Sequence, residues 1–384
     1  MHHSIKDGAS LAYEREILKK LRNPQNAHPA IHVAGTSGKG TTCYLIDSLL
    51  RAHTKRTGML VSPHVYDIRE RIQINGQPIS ERLFARTYYE LRQRVQLNEL
   101  TYFASLLTMG FLAASRAPLD YLVVETGVGG LWDTTNTITR KSKVCVLTQI
   151  GLDHTAILGS SLAEIATHKA GIIQQDALVI ALRQADEVNR IFEERCKKMH
   201  AKLIWVEPEA DYQQTNDAMA IATVKAIAER DGWAYDDTVA QDALQHAFIP
   251  GRFEKRDIKG RLLVLDGAHN PQKISALVSR IQLERLAPCT VLIGIGERKD
   301  ASKMLQTLQP VTAHLIATEF FTEQQDIPKR PLPAEELAQT AHRLGLSAEP
   351  ANKPATALKA ALSRSETIIV TGSFYLLSEI DALM

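Results

Sequence analysis

Short apolar runs rich in β-branched residues recur along this chain, and stretches with apolar residues at helical spacing separate many of them. The runs are Ile31–Ala34, Tyr121–Val124, Val144–Leu147, Leu178–Leu182, Leu203–Val206, Leu262–Leu265, Thr290–Ile295, His314–Ala317 and Thr367–Val370. Such runs read as buried strands. Thr42–Ala52, Leu162–Ile173, Ala218–Arg230 and Asp242–Ala247 read as helices, and a further helix is expected to start near Pro271. Strands alternating with helices predict α/β architecture: a mainly parallel sheet flanked by helices, with ligands at the carboxyl ends of strands.

The Pro-Gly pair in Ile249-Pro250-Gly251 interrupts the pattern, so a boundary is placed there. It divides the chain into a first domain, 1–249, and a smaller C-terminal α/β Rossmann-like domain, 250–384. Two cores suit a chain of 384 residues. A Pro-rich stretch, IPKRPLPAEE from Ile327, reads as a surface loop within the second.

Charge narrows the partners. The 45 basic and 43 acidic residues are well mixed, with a formal net charge of +2. No polybasic stripe offers itself to nucleic acid or to a membrane surface. Small-molecule partners and a monomer are expected. Cys43, Cys145, Cys196 and Cys289 are far apart and form no CxxC pair, which predicts reduced, buried thiols. No apolar run approaches a membrane span, and the start MHHSIKDGAS lacks a signal-peptide core. A cytoplasmic location is expected.

The candidate chemistry begins at IHVAGTSGKGTT, Ile31 to Thr42, where a predicted strand empties into a glycine-rich loop before a helix. Glycines let backbone N–H groups approach phosphate oxygens, and the helix start adds its positive dipole end. Lys39 would supply a mobile charge, and Thr41 or Thr42 a hydroxyl for Mg²⁺. The spacing differs from the usual P-loop, because Val33 stands at the first glycine position and Gly40 follows the lysine.

Three other segments bring polar groups to strand ends. YLVVET ends in Glu125 and runs into the glycine-rich GVGGLWDTTN, while VCVLTQIGLDH ends in Asp153 and His154. Such carboxylate and imidazole groups could serve a nucleotide's metal ion. Lys169 sits in a mostly apolar helix end, where it either snorkels or has a task. In LLVLDGAHNP, Asp266, His269 and Asn270 follow a predicted strand and suit either helix capping or ligand contacts.

With these motifs in order, the chain resembles folylpolyglutamate synthase/dihydrofolate synthase, within the Mur-type ATP-dependent amide ligases. The resemblance runs from about Leu21 to Tyr375. It rests on NPQNAHPAIHVAGTSGKGTT, SPHVYDIRERIQINGQPIS, ETGVGGLWDTTN, GLDHTAILG, HKAGII, IPGRFE, LDGAHNP, GERKD and VTGSFYLL. It implies a P-loop-type ATP-binding domain and a C-terminal glutamate-binding domain. It further implies that Gly38, Lys39, Gly40 and Thr41 cradle ATP phosphates, with Asn216, Arg252 and Asp266 at base, phosphate and ribose. Ser62 and Glu125 would hold one Mg²⁺ and His154 a second. Lys169 would be carbamylated, and Asp133, His269 and Ser373 would meet substrate. Lys39, Lys169 and His154 would carry the catalysis.

The implied reaction joins L-glutamate to a folate-type acceptor, dihydropteroate or tetrahydrofolate, through an acyl phosphate made with ATP. Departures gather on the acceptor side. Ala104 replaces a glutamate in TxFE, Leu131 an arginine in GGRLDATN, and His168 a glutamate before the lysine; Ser37 replaces an asparagine in the phosphate loop. They keep open an amide ligase with another carboxylate acceptor, or an inactive nucleotide-binding paralogue.

Overall fold

The computed structural model describes residues 9–96, 100–321 and 330–384. Residues 327–329 of the Pro-rich stretch and the first eight residues therefore lie outside the described part. The chain divides into two compact units, Met1–Ala247 and Phe248–Met384.

The first unit is built on eight strands. They are β1 (Ala30–Ala34), β2 (Thr57–Leu60), β3 (Ile72–Ile74), β4 (Gln77–Pro78), β5 (Tyr121–Glu125), β6 (Val144–Leu147), β7 (Leu178–Leu182) and β8 (Lys202–Val206). Their order is β4-β3-β2-β5-β1-β6-β7-β8. From β2 to β8 every pairing is parallel, and β3 and β4 add an antiparallel edge. Parallel strands need helical crossovers that cover both faces, which explains why β1, β5, β6 and β7 are apolar without alternation and fully buried.

Two cores flank this sheet. One gathers Leu18, Leu91, Leu107, Phe111 and Leu122, and the other Leu147, Ile165, Ile173, Val179 and Phe192. The helix Tyr102–Ala114 is apolar almost all round, and most of its residues are buried.

The second unit carries β9 (Glu254–Ile258), β10 (Arg261–Leu265), β11 (Cys289–Ile293), β12 (Thr312–Thr318), β13 (Ala348–Ala351) and β14 (Thr367–Thr371). Their order is β13-β12-β11-β14-β10-β9. Among the pairings of these strands only the hairpin of β9 with β10 is antiparallel. Its core centres on Val264, Ile281, Val291, Leu305, Leu315 and Ile369.

Every apolar run named above forms a strand. Short β2, β3 and β4 lacked that signature, as did β9 and β13, whose residues EKRDI and AEPA are mostly polar or only partly buried. The helix expected from Thr42 starts at Lys39, because Gly38 at φ 86° turns the chain directly into it. All four cysteines are unpaired and buried. Among the described residues no helix is long and apolar enough to cross a membrane.

Candidate active site

Strands β2, β5, β1 and β6 lie side by side, and their carboxyl ends carry most of the predicted groups. Register explains the convergence: Val33 pairs with Glu125, Ala34 with Leu147 and Leu60 with Val124. The loops after these residues therefore leave the sheet at one level.

The loop after β1 is held from the side of β6. Thr36 N donates to Gln149 O at 2.7 Å, and Thr148 Oγ1 donates to Ser37 O at 2.7 Å. Gly35 fits because a Cβ there would stand 1.8 Å from Thr148 Oγ1. Gly38 takes left-handed backbone, and its missing Cβ would lie 2.5 Å from Asn216 Oδ1. Asn216, on the helix Tyr212–Asp231, thus abuts the loop. Lys39, Gly40 and Thr41 form the first turn of the helix Lys39–Ala52, whose unpaired N–H groups make an anion site.

Glu125 ends β5 at 6% exposure, and its Oε2 accepts from Ser62 N at 2.9 Å. Its carboxylate sits where the helix begins, 3.5 Å from the position a Cβ on Gly40 would take. The Thr42 hydroxyl is buried with no hydrogen-bond partner. A carboxylate and a hydroxyl beside a bare helix N-terminus suit Mg²⁺, which takes few protein ligands and completes its shell with phosphate and water. Among the described residues no group of three or more His, Cys, Asp or Glu side chains could hold a metal alone.

His154 lies at the N-terminus of the short helix Thr155–Leu158. It is half exposed in left-handed backbone, and its Nε2 lies 3.8 Å from Asp153 Oδ2. Lys169, in the helix Leu162–Ala170, is buried, and Nζ donates to Gly35 O at 2.7 Å. Burial, reinforced by the Lys39 charge, lowers its pKa to about 7, against weaker opposing pulls from Asp153 and Asp133. A neutral, nucleophilic amine is therefore well populated at physiological pH.

Asp133 is buried and caps the short 3₁₀ turn Thr134–Thr137. Its Oδ1 accepts from Thr135 N and the Thr135 hydroxyl, its Oδ2 from Val128 N at 2.8 Å, and Gly127 N also donates to it. Its oxygens thus shape the loop Gly127–Asp133. A Cβ on Gly127 would meet the Phe103 ring at 2.7 Å. Phe103 in turn walls a small, solvent-open cleft with Leu60, Val61, Leu106 and Leu107, in which Arg71 and Glu125 are the charged members. Arg71 Nε donates to His64 Nδ1 at 2.8 Å, and its guanidinium stacks on Tyr102. Ala104 is fully buried, and Leu131 N donates to His168 O at 2.7 Å, so two of the altered positions are neighbours.

In the second unit, Asp266 follows β10 and accepts from Phe253 N and Ala268 N, both at 2.9 Å. Burial raises its pKa against the pull of Arg252, whose guanidinium stacks on Phe374. His269 Nδ1 donates to Gly267 O at 2.7 Å while Lys273 Nζ faces Nε2 at 3.2 Å; burial keeps the ring neutral. Asn270 and Ser373 cap the helices Pro271–Leu283 and Phe374–Asp381. Sequence reasoning did not single out Thr148, Gln149, His64 or Arg71. A polar pair following the buried run Val144–Leu147 was the available signal for the first two.

Comparison with known proteins gives a consistent result. Residues 33–231 match the Mur ligase middle domain, and residues 252–383 match the dihydrofolate synthetase C-terminal domain. Folylpolyglutamate synthase of Lacticaseibacillus casei is 30% identical over 407 aligned positions, covering 95% of this chain and 92% of that protein. Two eukaryotic relatives are 32% identical, and the chain spans about 60% of their length. Mycobacterium tuberculosis folylpolyglutamate synthase complexed with ADP superposes at TM-score 0.85, with 28% identity, covering 98% of this chain and 95% of that one. The bifunctional folylpolyglutamate synthase/dihydrofolate synthase with Mn, AMPPNP and L-glutamate bound superposes at TM-score 0.81, with 25% identity, covering 97% and 93%.

Proposed function

This chain belongs to the folylpolyglutamate synthase family of Mur-type ligases, and on that premise we propose that it uses ATP to join L-glutamate to a folate-type acceptor. One observation carries the reading: Glu125 belongs both to the helix N-terminus that suits phosphate and to the apolar cleft beside it. A flat acceptor seated in the cleft would present its carboxylate to the terminal phosphate there.

The γ-phosphoryl group passes to an oxygen of the acceptor carboxylate and ADP leaves. The glutamate amine then attacks the activated carbonyl carbon, loses a proton, and phosphate departs with the oxygen it received. Lys39 and the first-turn N–H groups of its helix hold the phosphates and meet the charge that develops during transfer. Ser62 and Glu125 would hold a divalent metal, with His154 holding a second. The metals offset phosphate charge when bound. Gly38, Gly40 and Thr41 complete the phosphate cradle, and Asn216, Arg252 and Asp266 would take the nucleotide's base, phosphate and ribose. Asp133, His269 and Ser373 serve the substrates, Asp133 by shaping the acceptor-side loop. Residues 1–249 would form the ATP domain and 250–384 the glutamate domain, in a monomeric cytoplasmic enzyme.

Lys169 is proposed to be carbamylated. Its neutral amine adds to CO₂ and loses a proton, replacing a costly buried cation with a carbamate anion that can order metal and phosphate.

The test incubates purified protein with ATP, Mg²⁺ and glutamate, adding dihydropteroate or tetrahydrofolate in turn. Acceptor-dependent ADP release with a mass gain of one glutamyl unit is expected. Retained ATP binding without turnover of either acceptor refutes the folate assignment.

A further inference from the structure

A buried polar line runs behind the acceptor-side loop, and the functional reading leaves it without a role. Lys143, at 1% exposure, precedes β6, and His32, at 0%, lies within β1. Counting donors and acceptors fixes how the line is wired. The Thr135 hydroxyl donates to Asp133 Oδ1. It must therefore accept from His32 Nε2, 2.8 Å away, which makes His32 the Nε2–H tautomer. Nδ1 is then a lone pair, and Lys143 Nζ faces it at 3.4 Å.

The remaining two protons of that ammonium meet Ile138 O at 3.4 Å and Asn136 Oδ1 at 3.5 Å. The amide of Asn136 agrees with this orientation, because its Nδ2 donates to Leu131 O at 3.1 Å and Gly171 O at 3.2 Å. Three donors thus meet three acceptors. Burial lowers the Lys143 pKa only to about 8, so the ammonium persists at neutral pH, while burial and Lys143 hold His32 well below its ordinary value and neutral.

Two of the ammonium's three hydrogen bonds start branches that run toward the loop. One branch passes through His32 and Thr135 to Asp133, which takes the Val128 and Gly127 N–H groups; the other passes through Asn136 to the Leu131 carbonyl. Both ends of the segment that packs on Phe103 hang from one buried charge.

We propose that Lys143, His32, Thr135 and Asn136 are positioning residues that fix the Gly127–Asp133 loop, and through Phe103 the wall of the acceptor cleft, by this one-way line. The proposal rests on the cleft being the acceptor site, and its test separates the two.

The first measurement is independent of any acceptor: side-chain ¹⁵N spectra of histidine-labelled full-length protein should show His32 neutral, with the proton on Nε2, from pH 6 to pH 9. A proton on Nδ1, or a charged ring, overturns the line. The second is kinetic. Thr135→Val should raise the acceptor KM about tenfold, the loss of one buried hydrogen bond, with the ATP and glutamate KM values unchanged. Thr135→Ser, which keeps the hydroxyl, should restore it. Lys143→Met, which removes the charge at similar volume, should act in the same direction. A fall in melting temperature with every KM unmoved means a purely structural line and overturns the proposal, as does failure of Thr135→Ser to rescue. If the wild type turns over no folate-type acceptor, the functional reading falls, and with it the acceptor role of the line; the spectra still decide whether the line itself exists.

Discussion

Lys169 offers a decisive test of the site's electrostatics through the substitution Lys169→Met. The amine is buried at 4% exposure, donates to Gly35 O, and has its pKa lowered from 10.5 to about 7 by burial and Lys39. Linkage fixes the sign. The unfolded chain keeps the proton up to pH 10.5, whereas the folded chain releases it near 7, so wild-type stability rises with pH across that window. From pH 7 to pH 9 the gain is about 2 kcal/mol, because each pH unit contributes roughly 1.4 kcal/mol once the folded amine is fully deprotonated and less near pH 7, where it is half protonated.

Lys169→Met has no such proton. It also leaves Gly35 O without its partner, a cost of about 1–3 kcal/mol that does not vary with pH. The stability of the variant minus that of the wild type should therefore fall by about 2 kcal/mol from pH 7 to pH 9, whatever the offset. The assay is urea unfolding in CO₂-free buffer, followed by tryptophan fluorescence. Trp132, Trp205 and Trp233 all belong to the first unit, so the signal reports that unit alone. A difference that stays flat between the two pH values refutes the buried, depressed amine.

Other outcomes are equally specific. The Glu14 carboxyl is buried, accepts from the Thr134 hydroxyl at 2.9 Å, leaves Oε2 without a partner, and has its pKa raised to about 7 by burial. Its folded pKa exceeds the unfolded one, so it costs stability as pH rises from 4.5 through 7; Glu14→Gln should gain up to about 3 kcal/mol on the wild type over that range in unfolding titrations. Gly38→Ala places a Cβ on left-handed backbone and against Asn216, which should cost about 1–2 kcal/mol and raise the ATP KM; an unchanged KM would remove Gly38 from the phosphate cradle. Lys39→Ala should abolish acceptor-dependent ADP formation in a coupled assay, and near-normal turnover refutes its phosphate role. Depleting CO₂ should lower wild-type turnover and bicarbonate should restore it; indifference to both removes the carbamate.

Legibility followed burial. Strands buried on both faces, such as Val144–Leu147 and Leu178–Leu182, announce themselves as unbroken apolar runs, and the structure gives them those bounds. Polar edge strands do not: Gln77–Pro78 is exposed and Glu254–Ile258 alternates, so each reads as loop until a partner strand is known, whereas the apolar edge strand Lys202–Val206 is legible. Loop chemistry divides in the same way. Glycines and the lysine of the phosphate loop are visible because backbone approach and charge constrain residue type locally. Anchors such as Thr148, 111 residues from Ser37, depend on which strands become neighbours, and sequence spacing does not encode that.

The two buried lysines of the first unit show how such ambiguity is resolved. Either one, read alone, is a cation in an apolar setting, and the choice between packing and chemistry stays open. Acceptor count decides it. Lys143 faces three acceptors for its three protons, at 3.4–3.5 Å, and can anchor a loop. Among the described residues Lys169 makes one bond, to Gly35 O, beside a second cation, and its pKa falls to about 7. A cation with fewer acceptors than protons is the one burial makes reactive, because deprotonation removes an unmet demand for hydrogen bonds as well as a charge. The two lysines thus differ in their partners, and exchanging those partners should exchange their protonation.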